Sequence, residues 1–87
     1  MKIREGFILR QVADATIVVP AGETSLDFNG MITLNETAAF LWKLLEQETT
    51  KEEMLAAMMR EYEVDEDTAR EGIGRFIDKL NEEGLLG

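Results

Sequence analysis

The sequence predicts an α+β domain with a winged helix-turn-helix-like layout, an N-terminal three-stranded antiparallel sheet followed by three helices. Three observations carry this. Residues 16–19 are β-branched throughout, which suits a pleated surface better than a helix. Residues 20–30 gather proline, glycine, serine and asparagine, the residues of turns and loops. From residue 35 onward, apolar positions recur with helical spacing behind good N-caps.

The elements follow in order. Residues 7–13 are rich in apolar, extended-friendly side chains, and Asp14 and Ala15 form the turn. Residues 16–19 return as a second strand, and Pro20 ends it because it cannot donate to a ladder. The two runs read as a hairpin. The loop over 20–30 is pinned to the domain by Leu26 and Phe28, and residues 31–34 make a short third strand.

Asn35 caps the first helix. Within 36–46, Ala38, Leu41, Trp42 and Leu45 fall at i, i+3, i+4 and i+7, and Phe40 and Leu44 widen the stripe. Glu48 and Thr49 connect to a second helix. Thr50 and Glu53 form its capping box, each side chain taking a backbone N–H at the other's position. Leu55, Met58, Met59 and Tyr62 give its apolar face. Asp65 caps the third helix, whose buried face is Ala69, Ile73, Phe76, Ile77 and Leu80. Gly84 stops it, and Leu85 and Leu86 fold back as an apolar tail.

Eighty-seven residues suffice for one domain, 1–87. The chain has no cysteine and no histidine. Thiolate nucleophiles, iron–sulfur clusters and most zinc sites are thereby excluded, as is the commonest general base. Carboxylates, lysine and one tyrosine form no recognisable catalytic set, so no enzyme is expected, and no catalytic residue, metal ligand or cofactor is assigned. Asp65, Glu66 and Asp67 lack the alternating spacing and mid-loop glycine of a calcium loop. The net charge of −9 repels nucleic acid and anionic membrane surfaces. The third helix, the recognition helix of a DNA-binding winged helix, sets Arg70, Arg75 and Lys79 against Asp65, Glu66, Asp67, Glu71, Asp78, Glu82 and Glu83. Neither a nucleic-acid nor a membrane partner is expected. No run matches a signal peptide or a membrane span, so the expected location is cytoplasmic.

From LNETAAFLWKLLE (34–46) onward the chain resembles the PqqD family, the pyrroloquinoline quinone synthesis protein D-like proteins. The matching pieces are Leu34 with Asn35, Thr37 with Ala38, and the Leu41, Trp42, Leu45 stripe. TKEEMLAAMMREYEVD matches the family's threonine-started second helix, and RFIDKLNEEGLL its phenylalanine helix and tail. The order and spacing of these pieces are more specific than any one of them. One departure lies before Ile73, where the family often has an acidic residue and this chain has Gly72, with Gly74 beyond. Two helical glycines cost roughly 1 kcal/mol each against alanine. Either the helix is locally weaker or close backbone approach is wanted.

The resemblance implies a peptide chaperone, the recognition element of a ribosomal-peptide modification system. Such a domain holds the leader of a precursor peptide and presents the core to a modifying enzyme, often a radical S-adenosylmethionine enzyme. The leader adds as a strand beside the third strand, in a groove closed by the third helix. Main-chain hydrogen bonds then give affinity and side-chain pockets give selectivity. Carried onto this chain, the edge is Met31, Ile32, Thr33 and Leu34, and the wall is Arg70, Ile73, Gly74 and Ile77. By their stripe Ile73 and Ile77 belong to the core more than to the groove, which leaves Arg70 and Gly74 as the better wall candidates. Alternation puts Met31 and Thr33 on one face and Ile32 and Leu34 on the other. Other readings stay open: a generic protein-interaction scaffold, a winged-helix regulator that does not bind DNA, and a dimer formed through the same strand edge.

Overall fold

The computed structural model describes residues 1–22 and 32–87. It contains β1 (Phe7–Val12), β2 (Ala15–Pro20), β3 (Ile32–Leu34), α1 (Glu36–Leu45), α2 (Lys51–Glu61) and α3 (Glu66–Glu82). The strands form one antiparallel sheet in the order β1-β2-β3. This is the α+β, winged-helix-like architecture that the sequence predicts. Leu26, Phe28 and the Met31 end of the third strand lie outside the described residues.

The hairpin register differs from expectation by one residue. Val12 pairs with Ala15, so the loop is Ala13 and Asp14 rather than Asp14 and Ala15. Ala13 has φ 55°, and it alone of the two turn residues has a positive φ. That is the sign pattern of a II′ turn, whose first central position favours glycine. The tight turn matches the twist of the strands, and Ala13 bears the steric cost. Pro20 is the last residue of β2, opposite Phe7, where its missing N–H falls at the end of the ladder.

The inner face of the sheet packs on α1. Val18 and Leu34 are buried from the strands, and Phe7 meets Trp42 edge-on with centroids 6.3 Å apart. Leu41, Trp42 and Leu45 are buried from α1, with Ala39 rather than Ala38. On α2 the buried set is Met54, Leu55 and Met58, while Met59 is 42% exposed. The buried face thus centres on 54, 55 and 58 and leaves out the expected Met59. The α3 stripe of Ala69, Ile73, Phe76, Ile77 and Leu80 is buried as expected.

The caps form where the sequence puts them. Asn35 Oδ1 accepts from Ala38 N at 2.8 Å, and Asp65 Oδ1 from Thr68 N at 2.7 Å. Thr50 Oγ1 accepts from Glu53 N at 3.1 Å, but the box is not reciprocal. The Thr50 hydroxyl donates to Glu53 Oε1 at 3.3 Å, so that carboxylate meets the hydroxyl instead of the backbone N–H. Gly84, at φ 72°, ends α3 in a Schellman motif: Leu85 N donates to Leu80 O (2.8 Å) and Gly84 N to Asn81 O (3.1 Å).

Residues 1–4 thread between the end of α1 and the C-terminal tail. Ile3 N donates to Leu45 O (2.8 Å), Arg4 N to Leu85 O (2.7 Å), and Gly87 N to Lys2 O (2.9 Å). Ile3 is buried and forms a bridge with Leu86. An orphan carbonyl at the end of α1 is thereby satisfied.

Two predictions follow from local geometry. Ala13→Gly relieves the positive φ and should stabilise the fold by about 0.5–1 kcal/mol, raising the thermal midpoint by a few degrees. A calorimetric scan checks this. The Asp65 carboxyl is held below its ordinary value, first by the Thr68 side chain and then by the Thr68 backbone N–H. A carboxyl with a lowered folded pKa stabilises above its unfolded pKa, near 4, and loses that as pH falls through the folded value. Asp65→Asn keeps a good cap without the charge. Its denaturation midpoint should match the parent at pH 7 and exceed it in acid, below about pH 4.

Candidate functional site

The strand β3 pairs with β2 through Thr16↔Leu34, Ile17↔Thr33 and Val18↔Ile32. On its other side no described strand pairs with it. Every second residue of an edge strand directs its N–H and C=O outward, so β3 presents backbone groups to whatever lies beside it. Leu34 turns into the core, Ile32 is half-buried on the same face, and Thr33 is exposed on the other.

Beside that edge runs a groove of about 310 Å³. Thr33, Leu34 and Asn35 line it where β3 passes into α1, and Thr37, Ala38 and Leu41 line it from α1. Gly72, Arg75, Phe76 and Lys79 supply the α3 wall. These four fall at i, i+3, i+4 and i+7, a second stripe alongside the core stripe, and Phe76 belongs to both. The Asn35 cap fixes where β3 stops and α1 starts, so it sets the bend in which the groove lies.

Of the eight residues singled out in the sequence, Thr33 and Leu34 line the groove and Ile32 sits just behind the edge. Met31 lies outside the described residues. Ile73 and Ile77 are 2% and 3% exposed and belong to the core. Gly74 is half-buried and does not line the groove. Arg70 serves another contact: its Nη1 and Nη2 bind Glu52 at 3.0 and 3.4 Å, and its Nε binds Glu66 at 3.3 Å. This exposed pair ties α3 to α2, and the Arg70 hydrogen bond and charge hold the Glu52 carboxyl below its usual value. The expected wall starts at Arg70, whereas the α3 side of this groove starts at Gly72, about 200° further round the helix.

Gly72, Arg75, Phe76 and Lys79 were thus missed. A signal for them existed: a second i, i+3, i+4, i+7 stripe that shares one aromatic with the core stripe and carries cations. The glycine question has a direct answer as well. A Cβ at Gly72 or Gly74 would meet nothing within 4 Å, so neither glycine serves a close backbone approach. Gly72 instead leaves the groove open at one end.

The groove contains apolar surface, hydroxyls and two cations, and no nucleophile–base pair. Among the described residues, no group of three or more acidic side chains converges as a metal site. No described helix is long and apolar enough to cross a membrane.

This architecture recurs in solved structures. TbiB1, in complex with the TbiA(beta) leader peptide, is 24% identical, with a TM-score of 0.77 over 99% of this chain and 94% of that one. Lasso peptide synthetase B1, complexed with the leader peptide, is 20% identical, with a TM-score of 0.74 over 97% and 93%. At these identities the likeness shows a shared fold. Among curated protein sequences, none matches. The family model for coenzyme PQQ synthesis protein D matches residues 16–86, from β2 through all three helices to the tail. With the match spanning nearly the whole chain, the protein belongs to the PqqD family.

Proposed function

We propose that this domain captures the leader segment of a ribosomally made precursor peptide as a strand added to β3, and presents it to a separate modifying enzyme. The observation that carries the reading is the open edge of β3 set in the same groove as the Gly72–Phe76 side of α3. An extended peptide beside β3 satisfies the outward backbone groups, while its alternate side chains enter the groove. A volume of about 310 Å³ is at the low end of ligand pockets, which suits one or two side chains of a longer peptide. Both structural relatives named above hold leader peptides, which supports the same class of partner here. A radical S-adenosylmethionine enzyme is the proposed acceptor, on the family resemblance. The domain acts by binding, with catalysis left to that enzyme.

Titration of ¹⁵N-labelled protein with a leader peptide should move the amides of Ile32, Thr33 and Leu34 and the Gly72 side of α3. Shifts confined to α2 would overturn the reading. A rise in mass to a dimer that peptide cannot reverse would assign the edge to a second copy instead. Proline at ladder-donating positions of the peptide should weaken binding. The glycines give an independent check. Gly74→Ala should stabilise the domain by about 1 kcal/mol in chemical denaturation and leave peptide affinity unchanged. Gly72→Leu fills the open end of the groove and should weaken binding at least about tenfold by calorimetry, a loss of about 1.4 kcal/mol.

A further inference from the structure

We propose that the groove selects leader segments carrying two carboxylates on the side that faces α3, next to an apolar anchor, although the protein itself is strongly acidic. The inference rests on the strand-addition reading and specifies which peptides that site accepts.

The chain carries 18 acidic residues against 9 basic ones, so a stretch of its surface taken at random favours carboxylates. The groove reverses this balance. Arg75 and Lys79 line it, and among the described residues no Asp or Glu does. The neighbouring concavities are mixed. That between the hairpin and α1 sets Arg10 and Lys43 against Asp14 and Glu36, and that at the N-terminal segment sets Lys2 and Arg4 against Glu5 and Glu46.

Both cations are available. Among the described residues Lys79 has no ion pair, and Arg75 holds only Glu71, one turn back on the same exposed surface. An exposed pair of this kind contributes too little to withhold the guanidinium from a peptide carboxylate. The remote carboxylates that make the protein acidic act through solvent and are screened beyond about 8–10 Å in physiological salt. Arg75 and Lys79 are exposed too, but a peptide carboxylate in the groove meets them well inside that distance, so the nearest charges decide selection.

Spacing fixes the pattern. Arg75 and Lys79 stand four residues apart, about 6 Å along the helix. Alternate residues of a strand share a face and stand about 6.6–6.8 Å apart. Two carboxylates separated by one residue therefore match the two cations. The next position on that face, past the carboxylate beside Arg75, falls toward Gly72, where the groove has room for an apolar side chain.

Blocked synthetic peptides test this: Leu-Thr-Asp-Thr-Asp-Thr-Leu and its counterpart with lysine in place of aspartate. The symmetric pattern serves either strand direction. Each is titrated into ¹⁵N-labelled protein at about 0.1 M salt, where screening reaches about 10 Å. The aspartate peptide is expected to bind at least about tenfold more tightly than the lysine peptide, with shifts at Ile32–Leu34. An Arg75→Gln/Lys79→Gln variant should bring the two within about twofold, while Lys79→Arg should keep the preference. Both changes fall on exposed side chains, and unaltered denaturation curves verify the fold. Equal or reversed affinities with shifts still at the β3 edge would overturn charge selection and leave strand addition standing. Binding of neither peptide, or shifts away from β3, would overturn strand addition and this inference with it.

Discussion

Burial of α1 against the inner face of the sheet is the contact on which the rest of the structure depends. Leu41, Trp42 and Leu45 are each 2% exposed or less, and Phe7, Val18 and Leu34 meet the helix from the strands. A three-residue strand has little stability of its own. It is held because Leu34 runs through the Asn35 cap directly into a helix that cannot move without exposing the core. The edge of β3, unpaired among the described strands, is thus an outcome of helix packing as much as of strand pairing.

The helix α3 divides its circumference between two tasks. One stripe closes the core, its neighbour walls the groove, and Phe76 serves both. Arg70 pairs with Glu52 across to α2, and the Schellman turn at Gly84 returns the tail to residues 1–4. The exposed ion pair adds little stability by itself, yet it occupies the guanidinium expected in the groove wall. The wall is therefore held by contacts behind it, and the groove face remains free to carry glycine and cations.

That arrangement explains why local weakness is tolerated in the wall. Gly72 and Gly74 lower helix propensity without any steric need. The Ile73 and Ile77 side chains on the adjoining stripe are almost wholly buried and hold the helix across the gap. A larger residue at position 72 would lengthen the helix-favouring surface and shorten the groove, so stability and binding pull against each other at that site.

The sequence by itself determined the elements, their caps, the core stripes of α1 and α3 and the family. These rest on periodicity, β-branching and hydrogen bonds spanning three or four residues, all local properties of the chain. The edge at Met31, Ile32, Thr33 and Leu34 was named by the family resemblance rather than by any local pattern. Only the tertiary structure decided which stripe of α3 faces that edge. Arg70 and Arg75 are indistinguishable along the chain, and the partner across space, Glu52 for one and the groove for the other, tells them apart. The choice of Met54 over Met59, the docking of Ile3 on the C-terminal tail and the Ala13 turn were likewise fixed by packing and pairing. Those are relations between segments far apart in sequence or between competing local registers, and no local pattern encodes them.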